Sequence, residues 1–428
     1  MLELDGRTLT FEQFRESCLK PNFPAIVRHA VPEREGEEEV GHQSSSFFTS
    51  LTRLRSRLAP AGLVHTFGAH HRVPTMETST DSSADDSDGE YMKCRSRTLA
   101  EVMECWSCSD RTLYLKDWHM QSDAEFAARQ KRCTEVDIKE KTDRGERILH
   151  GDGLYAVPEY LGDDWMDEFC RGPEDDEVTY HRFGDERSDY RFAYIGSPAT
   201  WTPLHFDVFG TYSWSLNVCG EKLWFFPSPE GNRHLLKNGL YGVALPTDIR
   251  TTTGVELWTV LQRPGDLVFV PSEYLHQVHN LSGPRFSLPR TGVPTGSIAT
   301  GREDGALLAE NECVELVIAI NHNWCNEWCV EGMVDAFCRD ANRIQQLLTV
   351  EDRVALFGDD LAAWYEHVER MLVGGTNWNF ACIRSFLKHR IRCAGGNAAE
   401  GEPLRCLLER CLERIAAVEL CVLYPGEK

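Results

Sequence analysis

The sequence predicts an α+β fold in which a central antiparallel double sheet is preceded by helices and strands and followed by helices. Short apolar runs separated by turn residues occur at 191–196, 211–226 and 267–270, a spacing typical of short strands in a sandwich or barrel. From Glu331 onward the apolar positions recur with the 3.6-residue period of helices. Many short strands of this kind indicate a double-stranded β-helix, the jelly-roll barrel of cupin type.

The first part of the chain, residues 1–110, is predicted to combine helices with strands. The segment that begins at Leu9 is amphipathic and predicts a helix, and Ala25–Val27 predicts a strand after it. A second helix is expected from Thr98 to Cys108. The stretch 75–90 is rich in Ser, Thr and Asp and poor in apolar residues, so we expect a disordered acidic loop there.

Residues 111–330 are predicted to form the barrel, and residues 331–428 a helical region. A strand at Leu113–His119 opens the barrel part, and a charged helical stretch is expected between Asp123 and Gly151. An insertion rich in Gly, Pro, Ser and Thr at 282–311 is expected to interrupt two strands. Four helices are expected after the barrel, near 332–348, 351–373, 380–393 and 403–422.

The chain is strongly acidic. Its 67 Asp and Glu residues against 45 Lys and Arg give a formal net charge of −22. An acidic surface disfavours binding to a nucleic-acid backbone and favours a basic protein partner, although most such charges serve solubility. We therefore expect a protein substrate and no nucleic-acid partner.

The chain shows no sign of export or of membrane insertion. Met1–Gly6 has neither the basic nor the apolar region of a signal peptide, and no apolar run reaches the about 18 residues that a membrane span needs. We expect the 16 cysteines to be reduced thiols in the cytoplasm, with the nucleus as the alternative. The close pairs Cys105/Cys108 and Cys325/Cys329 could contribute to a zinc site, but buried thiols are the expectation.

One H-x-D motif, His205 and Asp207, carries the main chemical signal. Two imidazoles and one carboxylate on one face of a metal are the ligands of non-haem Fe(II) oxygenases, whose open positions take cosubstrate and O₂. Residues i and i+2 of a strand point the same way, so one strand can deliver both ligands. His276 and His279 follow a later apolar run and are candidates for the third ligand. Strand alternation turns one of these two away.

Flanking residues give this weak motif its context. Thr202 lies three residues before His205, Lys222 lies seventeen after it, and P-G-D-L-V-F-V-P-S-x-x-x-H ends at His276. Together they resemble the jumonji C (JmjC) family of Fe(II)- and 2-oxoglutarate-dependent oxygenases. The resemblance implies a JmjC barrel with His205, Asp207 and His276 as the iron ligands.

The same resemblance implies a site for 2-oxoglutarate, whose distal carboxylate must meet a cation and hydroxyl donors once it is buried. Lys222 matches the family's lysine, Thr202 its hydroxyl and Tyr114 its tyrosine, although each alone would be an ordinary core or strand residue. Asn321 and Asn323, on the last barrel strand, match polar residues near the metal or cosubstrate. The resemblance also implies O₂ as cosubstrate and is compatible with ascorbate as an accessory cofactor.

Further runs, among them Tyr114–His119, Phe209–Gly220 and Ile320–Trp324, resemble small-domain hydroxylases of this family. That likeness implies an enzyme that hydroxylates a lysine side chain, and it nominates the eukaryotic release factor of translation termination as the partner. A histone lysine demethylase is the alternative. A non-catalytic jumonji-like binding module is a third, disfavoured because all three ligands are present. The sequence leaves open the carbon that is hydroxylated and the oligomeric state.

Overall fold

A computed structural model describes residues 1–33, 50–78, 92–108, 112–127, 155, 157–171, 189–240, 245–289, 313–347, 350–394 and 402–423. Three sequence-based expectations lie largely outside these ranges: the acidic loop beyond residue 78, the charged helical stretch beyond residue 127 and the insertion beyond residue 289.

Two sheets lie at the centre of the described chain. The larger has nine strands in the order β1-β2-β11-β8-β15-β6-β5-β3-β4, the smaller has four in the order β10-β9-β12-β7, and β13 and β14 form a separate pair. The strands are β1 (Leu2–Asp5), β2 (Ala25–Arg28), β3 (Arg72–Thr78), β4 (Met92–Thr98), β5 (Leu113–Trp118), β6 (Arg191–Gly196), β7 (Trp201–His205), β8 (Tyr212–Cys219), β9 (Glu221–Pro227), β10 (Leu257–Gln262), β11 (Leu267–Val270), β12 (His276–Ser282), β13 (Arg285–Ser287), β14 (Cys313–Glu315) and β15 (Val317–Trp324).

Helices of the described chain precede the double sheet, interrupt it and follow it. They are α1 (Phe11–Phe14), which continues as a π-helical turn over Arg15–Leu19, α2 (Leu51–Leu58), α3 (Pro60–Phe67), α4 (Leu99–Ser107), α5 (Trp165–Arg171), α6 (Pro229–Leu240), α7 (Val330–Gln346), α8 (Val350–Phe357), α9 (Leu361–Thr376), α10 (Phe380–Ala394) and α11 (Glu402–Leu423). None of these described helices combines the length and apolar character needed to cross a bilayer.

The α+β fold with a double sheet and a C-terminal helical region is confirmed, and two details of the sequence-based expectation are wrong. Residues 75–78 belong to β3, where they pair with β4 and β5, and are not part of a loop. The helix expected over 351–373 is two helices, because Gly358 adopts a φ of 58° and Asp360 accepts a hydrogen bond from the amide of Ala363 to begin α9.

The space between the two sheets is filled by apolar side chains at one end. Trp224 and Phe226 of β9 and Val278 of β12 pack there against Ile26 and Val268 of the large sheet. The opposite face of the large sheet packs against the helices in a separate, larger core. Polar residues between the sheets are therefore exceptions in an otherwise apolar interior.

The C-terminal helices hold the turn that follows β7. Phe209 has a φ of 64°, and its ring centroid lies 5.1 Å from that of Trp378 and 6.0 Å from that of Phe337 in α7. Gly210 follows with a φ of 57°, and a Cβ atom added there would lie 2.8 Å from the carbonyl oxygen of Gly332. Only glycine fits this combination of backbone angle and close approach to α7.

We predict that Gly210→Ala destabilises the fold by more than Gly358→Ala does. Both glycines have nearly the same positive φ, 57° and 58°, but an added Cβ at Gly358 meets nothing within 4 Å. Gly358→Ala should therefore cost only the left-handed backbone, about 1–2 kcal/mol, and Gly210→Ala should cost that plus a steric clash. Chemical denaturation of both variants measures the difference. Equal losses would show that the close approach to α7 is not tight.

Candidate metal centre and cosubstrate pocket

His205, Asp207 and His276 converge at one end of the small sheet. One ligand atom from each lies within 4.8 Å of the others, and among the described residues this is the one group of three or more such side chains placed to hold a metal ion. His205 and His276 pair across β7 and β12, with ring centroids 4.2 Å apart. The strand pairing therefore sets the spacing of the two imidazoles.

Backbone carbonyls fix the orientation of both imidazoles. Nδ1 of His205 lies 2.8 Å from the carbonyl oxygen of Pro203, and Nδ1 of His276 lies 3.0 Å from that of Tyr274. Because a carbonyl only accepts, each Nδ1 must carry the proton, and the lone pair of each ring is on Nε2. Burial, with a further contribution from His276, lowers the pKa of His205 to about 3, so this ring is neutral and able to bind a metal.

Asp207 lies two residues beyond His205, where β7 has ended. Its backbone remains extended, with φ −67° and ψ 152°, so the carboxylate still turns to the side of His205 although no strand carries it. The hydroxyl of Ser213, on β8, donates a hydrogen bond to the Asp207 carboxylate. Ser213 thereby orients the carboxylate, and no local sequence pattern could identify it because β8 is a different strand.

His279 is outside this group. Its ring stacks on Trp201, with centroids 5.1 Å apart and planes inclined by 8°, and its Nε2 lies 2.7 Å from the amide nitrogen of Gln277. Burial lowers the pKa of His279 to about 4. The alternation of β12 places His276 between the sheets and His279 on the outer face, whereas the sequence pattern alone indicated only that one of the two faces away.

Tyr114 and Thr202 meet in the interior, together with Asn280. The Tyr114 side chain is buried, which raises its pKa, and it hydrogen-bonds to the side chains of Thr202 and Asn280. Tyr114 on β5 pairs with Gly196 on β6, and a Cβ atom added to Gly196 would lie 2.6 Å from the Tyr114 ring. The amide nitrogen of Asn280 donates to Thr200, while its oxygen is buried with no partner in the described chain.

A register shift explains how Thr202 and His205 both face the interior. Residues three apart on a regular strand point to opposite faces. The pairing of β7 with β12 slips by one residue between His276 and Val278, which compensates. Leu204 consequently faces outward and packs against Leu275.

Lys222 reaches the same pocket from β9, opposite Asn280. It is 2% exposed, and burial alone lowers its pKa to about 7. Among the described residues its ammonium has no carboxylate or hydrogen-bond partner, and its closest described interaction is with the Tyr194 ring, 5.6 Å from the centroid. A buried lysine with no anion among the described residues, paired across the sheet with Asn280, whose side chain hydrogen-bonds to Tyr114, fits the distal carboxylate of 2-oxoglutarate.

Asn321 and Asn323 lie on one face of β15, where their polar partners come from β8 and from the residue that precedes it. The hydroxyl of Ser215 donates to Asn321, and the amide nitrogen of Asn323 donates to the hydroxyl of Thr211. The structure thus shows these two side chains bonded to protein groups, and their predicted role beside the cosubstrate stays a prediction.

Sequence reasoning missed Ser213, Asn280 and Tyr194. Strand alternation could have found two of them, since Asn280 shares a face with His276, and Tyr194 shares one with Gly196, against which Tyr114 lies. No described cysteine is paired in a disulfide, and Cys325 and Cys329 are buried thiols.

Comparison with known proteins agrees with this geometry. Residues 192–283, which include His205, Asp207, Lys222 and His276, match the family described as JmjC domain, hydroxylase. The chain therefore contains a JmjC domain, and the expected resemblance to that family is confirmed.

Two kinds of relative are similar over longer stretches. The 2-oxoglutarate and iron-dependent oxygenase JMJD4 is 28% identical over 299 residues in Mus musculus (67% of this chain, 52% of the relative) and 28% over 287 residues in Homo sapiens (64% and 50%). The arginine-specific demethylase JMJ20 of Arabidopsis thaliana is 25% identical over 363 residues (82% and 62%). The chain thus spans about half to three fifths of the length of these relatives.

We predict that His276→Ala abolishes binding of Fe(II) or Mn(II), whereas His279→Ala binds the metal as the wild type does. The first change removes one of three converging donors, and the second removes a ring stacked on the outer face. Calorimetric titration of metal into each purified protein measures this. Loss of binding in His279→Ala with retention in His276→Ala would show that the third ligand is misassigned.

We predict that Lys222→Met weakens 2-oxoglutarate binding by well over tenfold, since the buried carboxylate loses its cation. Without 2-oxoglutarate the same change should stabilise the fold at pH 7. Because the pKa of Lys222 is about 7 when folded against 10.5 when exposed, the unfolded chain binds more protons in that window. Wild-type stability should therefore rise relative to the variant between about pH 7 and pH 10 in denaturant titrations. Parallel pH profiles would contradict the burial of an unpaired ammonium.

Proposed function

We propose that this protein is an Fe(II)- and 2-oxoglutarate-dependent protein hydroxylase that acts on a lysine side chain. The observation that carries the proposal is the presence, between the same two sheets, of a three-donor metal group and a buried lysine that has no anionic partner among the described residues. A metal site alone would fit many proteins. The second feature demands a small molecule with a carboxylate, and 2-oxoglutarate supplies one while it chelates iron through its other end.

Each residue then has a defined task. His205, Asp207 and His276 would hold iron through two imidazole Nε2 atoms and a carboxylate, and leave the remaining positions open. Iron together with 2-oxoglutarate and O₂ supplies an oxidant strong enough to attack an unactivated C–H bond.

Other residues of the protein orient the metal ligands at one end of this pocket and would bind 2-oxoglutarate at the other. The carbonyls of Pro203 and Tyr274 keep the imidazoles in the metal-binding tautomer, and Ser213 holds the carboxylate. Lys222 would bind the distal carboxylate of 2-oxoglutarate, and the hydroxyls of Thr202 and Tyr114 would hydrogen-bond to it. The assignment of Asn321 and Asn323 to the same pocket is part of the proposal.

The choice of substrate rests on charge and on similarity. A net charge of −22 favours a basic protein surface over nucleic acid, and a lysine side chain presents a cation on a flexible stem. The similarity to JMJD4, together with the resemblance to small-domain hydroxylases, favours the release factor that recognises stop codons. Encounter with that partner should weaken as salt is added. The cytoplasm, where translation ends, is the compartment that this substrate implies.

Demethylation is the second candidate function. It is favoured by the similarity to the arginine-specific demethylase JMJ20, which covers 82% of this chain. A demethylase would use the same iron centre and would differ in the carbon that is attacked, the methyl group of a methylated lysine or arginine. A binding module without catalysis is disfavoured by the complete donor group.

We predict that incubation of the release factor with this protein, Fe(II), 2-oxoglutarate and O₂ adds one oxygen atom to a single lysine. Peptide mass spectrometry locates the modification, and Asp207→Ala protein is the matched control that should add none. Methylated histone peptides, with methyl-lysine or methyl-arginine, are treated in parallel. Loss of a methyl group there, with an unmodified release factor, would replace the hydroxylase proposal by the demethylase.

A further inference from the structure

The ring of Tyr194 lies near the ammonium groups of two lysines, Lys222 and Lys116. The Nζ atom of Lys222 lies 5.6 Å from the centroid of its ring, and the Nζ atom of Lys116 lies 5.9 Å from it. The ring of Tyr114 is also a neighbour, at 6.0 Å between centroids. Tyr194 of β6 thus lies beside Lys222, the one lysine that is buried among the described residues.

An aromatic face attracts a cation through the negative charge density above the ring. Lys222 needs such a neighbour, because the described residues give its ammonium no carboxylate before a cosubstrate binds. Lysine also has a four-carbon stem with many rotamers, so a free ammonium would not stay where a carboxylate must find it. A ring fixed beside the ammonium stabilises its charge and restricts the rotamers of the lysine side chain.

We propose that Tyr194 is a positioning residue, whose ring holds the ammonium of Lys222 in place for the distal carboxylate of 2-oxoglutarate. This inference rests on the proposed function, because it assumes that cosubstrate. It adds a residue that the JmjC-type motifs of the sequence do not include, and it concerns the ring of Tyr194 and not its hydroxyl.

The hydroxyl of Tyr194 has a separate role at the rim. It donates a 2.7 Å hydrogen bond to one oxygen of Asp117, whose other oxygen accepts a 2.7 Å hydrogen bond from Lys116. Asp117 lies in an irregular part of β5, with a φ of 60° and a side chain that is 52% exposed. This bond fixes the tilt of the ring, and Lys116 is neutralised by Asp117. Lys222 is the cation beside the ring that has no such carboxylate.

Within the part of the chain that the structure describes, few charged or titratable groups lie near Tyr194. They are Lys222, Lys116, Asp117 and Tyr114, with Asp207 exerting a weaker electrostatic effect. Burial alone lowers the pKa of Lys222, so an attractive ring opposes that effect by favouring the charged form. Weakening the ring should lower the pH above which 2-oxoglutarate binding falls.

The test is calorimetric titration of 2-oxoglutarate into the Mn(II)-loaded protein, without O₂ and without a protein substrate. Tyr194→Phe keeps the ring and removes the hydroxyl. Replacement of Tyr194 by pentafluorophenylalanine keeps the shape of that variant and reverses the charge distribution of the ring. We expect the fluorinated protein to bind 2-oxoglutarate about tenfold more weakly than Tyr194→Phe, and its affinity to fall at a lower pH.

The same fluorinated residue at Phe192 is the matched control. Phe192 lies two residues earlier on β6, and its ring contacts His119, at 4.8 Å between centroids, and no lysine in the described chain. Its fluorination should leave the affinity unchanged. Equal affinities for Tyr194→Phe and its fluorinated counterpart would overturn the inference while the proposed function stood. A wild-type protein that binds no 2-oxoglutarate would overturn both.

Discussion

Lys222 carries an ammonium group into the space between the two sheets, where the described residues offer it an aromatic ring and no carboxylate. Burial of an unpaired charge costs several kcal/mol, and a protein normally avoids that cost by pairing the charge or by giving up a proton. Here burial lowers the pKa of Lys222 to about 7, so the protein stands close to giving up the proton. Asn280, which pairs with Lys222 across the small sheet, hydrogen-bonds through its side chain to Tyr114, and Tyr114 hydrogen-bonds to Thr202. A carboxylate that entered this pocket would pair with the Lys222 charge, and this is the basis on which we propose that the pocket binds the distal carboxylate of 2-oxoglutarate.

The convergence of His205, Asp207 and His276 depends on a different constraint, the position at which β7 ends. β7 ends at His205, and Asp207 lies on the turn that follows. That turn is kept in place by Phe209 against Trp378 and by Gly210 against α7. The C-terminal helices thus contribute to the iron site although none of the predicted ligands lies on them. Two distant parts of the chain, the barrel and the helical region, must both fold before the three donors converge.

Local sequence patterns predicted much of this structure. Alternation along β12 separates His276 from His279, and the 3.6-residue period located the C-terminal helices. What the patterns could not supply were the irregularities: the slipped register that turns Thr202 inward beside His205, and the positive φ of Asp117 in β5. Such features depend on neighbouring strands, so they are absent from any local window. Lys222 shows the same limit. Its position in the family motif indicated contact with the cosubstrate, but only the structure shows that its ammonium has no anionic partner among the described residues.

The most direct test of this account is anomalous diffraction from crystals grown without O₂ in the presence of Mn(II) and 2-oxoglutarate. The account predicts one anomalous peak bonded to Nε2 of His205, Nε2 of His276 and the carboxylate of Asp207. It also predicts 2-oxoglutarate on that metal, with its distal carboxylate within hydrogen-bonding distance of Lys222. A metal bound elsewhere, or a cosubstrate that leaves Lys222 without an anion, would contradict it.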